Sequence, residues 1–181
     1  EFIAPFTVLI PPNNQYNLAQ MLFPIDDVNT TFYWVAWHPD TKKGISQAAW
    51  RRFCSAEVGI ELDENYVKSL NMDNMFKQDR EAMRNGDFTG IKGIPAQDMA
   101  MWESMGAIAS RDSEILGSSD LSIVKFRQQM LKAAQDFSEG KPAIGTAKNR
   151  TPHAQLASYE RILPRTADWR TFDPNLAEAA E

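Results

Sequence analysis

At 181 residues, 43% hydrophobic and 24% charged, the chain has the length and composition of roughly one domain with a real core. Its formal net charge of −5 comes with no basic stripe interleaved with aromatics, which leaves nucleic-acid binding unsupported. No apolar run could span a membrane and no signal-peptide pattern opens the chain, while the single cysteine, Cys54, excludes an internal disulfide and any all-cysteine iron–sulfur or zinc site; a cytoplasmic protein is the simplest reading.

The first half reads as antiparallel β-structure. Ile3 to Ile10 is a strand candidate ended by Pro11-Pro12-Asn13-Asn14, and it begins with neither Met nor a polar lead-in. A strand needs neighbours to bury its faces, so the expectation is that the chain is the C-terminal part of something larger. Met21 to Pro24 reads as a short strand whose proline suggests an edge or an end. Asp26-Asp27-Val28-Asn29 is turn chemistry, and Thr30 to Trp37, rich in β-branched and aromatic residues, predicts a strand stopping at His38-Pro39-Asp40.

The middle is less regular. Ser46 to Ala56 predicts a short helix with Ala48, Ala49, Trp50 and Phe53 on its apolar side. Asp63 to Asn85 carries Met72, Met75, Phe76 and Met83 at loosely helical spacing, followed by a turn-rich passage from Gly86 through Gly90 to Pro95. Gln97 to Met105 predicts a helix closed by Gly106. Ser119 to Ser138 is the strongest helical pattern, with Ser118 or Ser119 as cap, Gly140 as terminator, and Ile123, Phe126, Met130, Ala133, Ala134 and Phe137 along one face. Beyond Lys141 the chain reads as a loop-rich tail.

Most candidate chemistry reduces to ordinary structure. Cys54 reads as a buried structural thiol, and no elbow motif surrounds any serine. Gly90-Ile91-Lys92-Gly93 lacks the spacing of a phosphate loop. His38 reads as a turn histidine, and His153 lies in the polar tail. Asp98 differs, because it stands at the start of an apolar helix among Met99, Ala100, Met101, Trp102 and Met105. A carboxylate there needs a cation, hydrogen-bond donors or a proton, so a helix cap and a metal ligand both suit it. Glu103 lies about 140° around the helix from it and need not converge on the same point.

Phe88-Thr-Gly-Ile-Lys-Gly-Ile94, followed by Gln97-Asp98-Met-Ala-Met-Trp-Glu103-Ser104-Met105-Gly106, resembles the C-terminal catalytic region of Rieske non-haem iron ring-hydroxylating oxygenase alpha subunits. The likeness is to the phthalate dioxygenase-type and vanillate demethylase-type branch. It continues through Arg111 to Gly117 and Ser119-Asp120, and reaches back to Pro24–Thr30 and Phe32–Trp37. The resemblance implies an α+β helix-grip (START/Bet v1-like) fold, an antiparallel sheet with a long C-terminal helix, present here as an incomplete C-terminal portion. Residues 1–145 would be that portion of the catalytic domain and 146–181 a loop-rich tail.

By the same resemblance, a mononuclear Fe(II) is held by two histidines and one carboxylate, and Asp98 matches the carboxylate. Gln97 would orient it, and Met101, Trp102 and Met105 would line an aromatic substrate's pocket, although ordinary helix core accounts for those three as well. Phe32, Trp34 and Val35 would face the same cavity or form a simple sheet core. The implied activity is that of a terminal oxygenase activating dioxygen to hydroxylate or O-demethylate an aromatic substrate. The implied partners are an N-terminal region carrying the two histidine ligands and a Rieske 2Fe-2S cluster, a reductase as electron donor, and like subunits in a homotrimer or hexamer. A non-catalytic helix-grip domain that binds a hydrophobic ligand without iron is the alternative.

Overall fold

The computed structural model describes residues 2–11, 16–146 and 162–168, in two compact units. One unit comprises Glu1–Pro24, Thr30–Thr41 and Asp120–Glu181; the other comprises Ile25–Asn29 and Lys42–Ser119. The four-stranded antiparallel sheet and its helices form an α+β fold consistent with the helix-grip expectation.

The first unit holds the sheet, a meander in the order β1 (Phe2–Ile3), β2 (Thr7–Ile10), β3 (Asn17–Pro24) and β4 (Thr30–Trp37). The single strand expected over Ile3–Ile10 is a tight hairpin instead, reversed at Ala4-Pro5-Phe6, so that Phe2 pairs with Val8. β3 is twice the predicted length and lies inside the sheet, with Ile10 opposite Leu18 on one side and Asn17 opposite Trp37 on the other. Its proline sits at its end, where no further ladder bond is needed. β4 has the predicted bounds.

Strand alternation separates residues that the sequence reading had grouped. Phe32 and Trp34 point to one face, with rings stacked 6.5 Å apart, whereas Val35 points to the other with Tyr33 and Trp37. Val35 therefore shares no surface with the two aromatics.

The fourth helix, α4 (Leu121–Ser138; α1 to α3 follow below), belongs to the same unit. Its cap position falls on Asp120 after a 3-10 turn at Ser118–Asp120, without a side-chain capping bond, rather than on the predicted serines. Gly140 ends it as expected, at φ +78°, while the Lys141 N–H wraps back to the Asp136 carbonyl at 2.9 Å. Phe126 meets Phe2 edge-to-face at 4.8 Å, which ties the helix to the sheet's first strand. The predicted apolar face is only partly covered: Met130 and Ala133 are half-buried, Ile123 and Phe137 are exposed, and no residue of α4 is fully buried.

In the second unit, α1 (Gln47–Cys54) is capped by Ser46, whose hydroxyl accepts from the Ala49 N–H. It is followed by a 3-10 segment at Met72–Lys77, then α2 (Arg80–Arg84) and α3 (Ile94–Ser104). The core of this unit is Phe76, Ile91, Ala96 and Ala100, with Leu70 and Met99 packed on it. Gly90 and Gly93 are packing devices. Both have positive φ, and a side chain at Gly90 would overlap the Asp79 carbonyl, while one at Gly93 would come within 2.6 Å of the Cys54 carbonyl.

Two outcomes follow from these local devices. Gly90→Ala combines a positive φ with a backbone overlap, so it is expected to destabilise by about 2 kcal/mol or more; Gly106→Ala, where a methyl meets open space, should lose only about 1 kcal/mol in the same urea titrations. At the β3–β4 turn, the Asn29 side-chain amide and the Val28 and Asn29 N–H groups donate to the Asp26 carboxylate at 2.7–3.0 Å and hold its pKa below the ordinary 3.8. That stabilisation is present above the unfolded value and is lost as pH falls through the depressed folded one. The urea midpoint of Asp26→Ala should accordingly lie below that of the parent at neutral pH, the two converging in acid.

Candidate metal centre

Helix α3 carries the candidate ligand, and it starts three residues earlier than its sequence suggested. Gly93 occupies the N-cap at φ +81°, its carbonyl accepts from the N–H groups of Ala96 and Gln97, and Pro95 fills the first turn, where its missing N–H costs nothing. Asp98 therefore lies in the second turn and is not the helix cap. Its carboxylate is half-buried, has no hydrogen bond or ion pair among the described residues, and is pushed up in pKa by burial.

The inward face of α3 is small: Pro95, Ala96 and Ala100 are buried against Phe76 and Ile91. Met101, Trp102 and Met105 are 62%, 37% and 53% exposed and lie outside the packed face of α3. The helix is apolar on both its covered and its uncovered side. Gln97 is committed on one side, its Nε2 donating to the Ile91 carbonyl at 2.9 Å. Glu103 does not converge on Asp98; its carboxylate is paired with Lys68, which also donates to the Leu70 carbonyl at 2.7 Å.

His38 belongs to the first unit, and its Nδ1 accepts from the Asp40 N–H at 2.9 Å, as a turn histidine would. His153 lies outside the described residues. Among the described residues no three His, Cys, Asp or Glu side chains converge on one point. The donor set on α3 thus fits one oxygen ligand of a metal, not a complete site. A cleft of about 370 Å³ escaped the sequence reading; Gln47, Ala48, Arg51, Glu57, Val58 and Tyr66 line it, with the Arg51 guanidinium 5.4 Å over the Tyr66 ring. Only the helical placement of Gln47 and Arg51 on one face hinted at it.

A family model described as LigXa C-terminal domain like matches residues 1–181. The chain belongs to that family. It is 49% identical over 172 residues to the phthalate 4,5-dioxygenase oxygenase subunit of Pseudomonas putida, covering 94% of this chain and 38% of that protein. It is 30% identical over 189 residues to the 3-chlorobenzoate-3,4-dioxygenase oxygenase subunit of Comamonas testosteroni, covering 94% of this chain and 42% of that protein. The chain spans about two fifths of the length of these relatives. The resemblance carried by Phe88–Gly106 is therefore to the same group of oxygenase subunits, whose C-terminal-domain family this chain shares. No described helix is long and apolar enough to cross a membrane.

Cys54, the last residue of α1, is buried beside Gly93, with its thiol pKa pushed up to about 11 from 9.0 by burial alone. Two pH units of lost thiolate slow alkylation about 100-fold relative to a free thiol near pH 8. Iodoacetamide labelling followed by mass spectrometry is expected to show that protection in the folded protein and its loss in urea.

Proposed function

We propose that the chain is the C-terminal portion of a terminal oxygenase's catalytic domain, with Asp98 as the carboxylate ligand of a mononuclear Fe(II). The observation that carries this reading is the state of Asp98. It is a half-buried carboxylate without a hydrogen-bond or ion-pair partner among the described residues, on a helix fixed by its core, inside the Gln97-Asp98…Glu103-Ser104-Met105-Gly106 order that carries the family resemblance. The similarity to two dioxygenase oxygenase subunits supports the same reading. A hard carboxylate oxygen suits Fe(II), and one such ligand beside two histidines leaves coordination positions open.

In this reading the two histidine ligands and a Rieske 2Fe-2S cluster come from a preceding region of the full subunit. A reductase supplies electrons, like subunits assemble as a homotrimer or hexamer, and the enzyme works in the cytoplasm. The bound iron would supply dioxygen activation for hydroxylation or O-demethylation of an aromatic compound. The chain's own residues have simpler duties. Asp98 holds an oxygen lone pair at a fixed place. Gln97, anchored on the Ile91 carbonyl, keeps the first turns of α3 from rotating. Met101, Trp102 and Met105 offer exposed apolar surface on the same helix, suited to exclude water from an aromatic ring. We assign residues 1–145 to the catalytic domain and 146–181 to a tail.

The test is iron analysis of the complete oxygenase subunit. Asp98→Ala should lower mononuclear iron content at least about tenfold while the 2Fe-2S visible spectrum and circular dichroism stay unchanged. Normal iron and oxygenation in that variant would overturn the ligand assignment. A full-length protein that holds no mononuclear iron at all would favour the alternative, a helix-grip domain binding a hydrophobic ligand without redox chemistry.

A further inference from the structure

Lys68 has three partners. Its ammonium pairs with Glu103 of α3, donates to the Leu70 carbonyl at 2.7 Å, and lies 5.0 Å over the ring of Phe76. Phe76 is the most buried member of the core beneath α3, at 2% exposure, where it contacts the Ala96 and Ala100 face. It reaches that place through an unusual backbone: Met75, Phe76 and Lys77 have φ of +50°, +52° and +48° in succession. Residues with a Cβ visit the left-handed region singly and at a cost, so three in a row persist only where surrounding packing holds them. Lys68 thus grips both sides of α3's seat, the ring under its inner face and the carboxylate near its C-terminal end.

We propose that Lys68 is a positioning residue for the Asp98 site, fixing the rotation of α3 and neutralising Glu103 so that Asp98 is the carboxylate on this helix left to meet a cation. The inference rests on the reading of Asp98 as an iron ligand. Two polar ties bracket that ligand: Gln97 to the Ile91 carbonyl before it, and Glu103 to Lys68 after it. Neither touches the Asp98 carboxylate, so both act through the helix. Without Lys68, a second unneutralised carboxylate would remain five residues along the same helix, and the strained Phe76 turn would lose the cation on its ring.

The experiment uses the complete oxygenase subunit, with ferrous iron as the probe. Lys68→Met keeps an apolar stem over Phe76 and removes the charge; Glu103→Gln removes the opposite charge with little change of shape. Both should weaken Fe(II) affinity about tenfold and alter the ferrous-site magnetic circular dichroism, with the 2Fe-2S spectrum unchanged and any fall in Tm too small to account for the lost affinity, and Lys68→Arg should restore affinity to within about threefold. Affinity within about twofold of the parent in Lys68→Met, or iron loss that merely tracks a fall in Tm in both variants, would overturn the proposal. Asp98→Ala separates the two levels. Iron kept by Asp98→Ala sinks the ligand reading and this proposal together, whereas iron lost there but kept by Lys68→Met sinks the positioning role alone.

Discussion

The second unit depends on a phenylalanine ring fitting beneath a helix faced with alanine. Ala96 and Ala100 stand one turn apart on α3, and their methyl groups leave room for Phe76 to approach the helix closely. Dispersion over that contact is what a larger residue at either alanine would forfeit by holding the helix away. The glycines extend the same logic. Gly93 lets the first turn of α3 sit against the Cys54 carbonyl at the end of α1, and Gly90 lets the preceding loop lie on the Asp79 carbonyl. The start, seat and direction of α3 are thereby set by close packing.

Packing of this kind explains how Asp98 can be well placed without being held by its own hydrogen bonds. A carboxylate that accepts from neighbouring N–H groups is stabilised as an anion but has its lone pairs occupied. Asp98 is the opposite case, with its position supplied by the helix and its oxygens uncommitted among the described residues. Rigid support joined to an unsatisfied donor atom is what a metal ligand requires. The neighbouring acids show the contrast: Asp79 is occupied in capping α2, Asp87 accepts from Thr89 and Gly90, and Glu103 is paired with Lys68.

What could be read in the sequence was governed by local rules. The bounds of β4 followed from its β-branched and aromatic run between turn residues, and Asp26 and Gly140 behaved as their types predict. The missed start of α3 was also locally encoded. Gly93-Ile94-Pro95 reads as loop by its turn residues, although proline in a first turn after glycine is a helix-start signal. β3 was shortened because Asn17 and Gln20 interrupt its apolar pattern. Nothing local announces the left-handed run at Met75–Lys77, which contains no glycine, nor the pairing of Lys68 with a residue thirty-five positions away. The proposed role of Asp98 was legible only through the order of its neighbours, since periodicity alone favoured a cap.

β4 carries a further implication through its two apolar faces. Phe32, Trp34 and Ala36 occupy one side and Tyr33, Val35 and Trp37 the other, in an eight-residue strand without charge, glycine or proline. Among the described residues it is the last strand of the sheet. Such a segment has the composition of a self-templating strand, and natural outer strands usually carry a lysine, a proline or a bulge to discourage that. Prepared as a separate polypeptide, these 181 residues would consequently be a colloidal problem before they were an enzymological one, with fibrillar or amorphous self-association seeded at Thr30–Trp37.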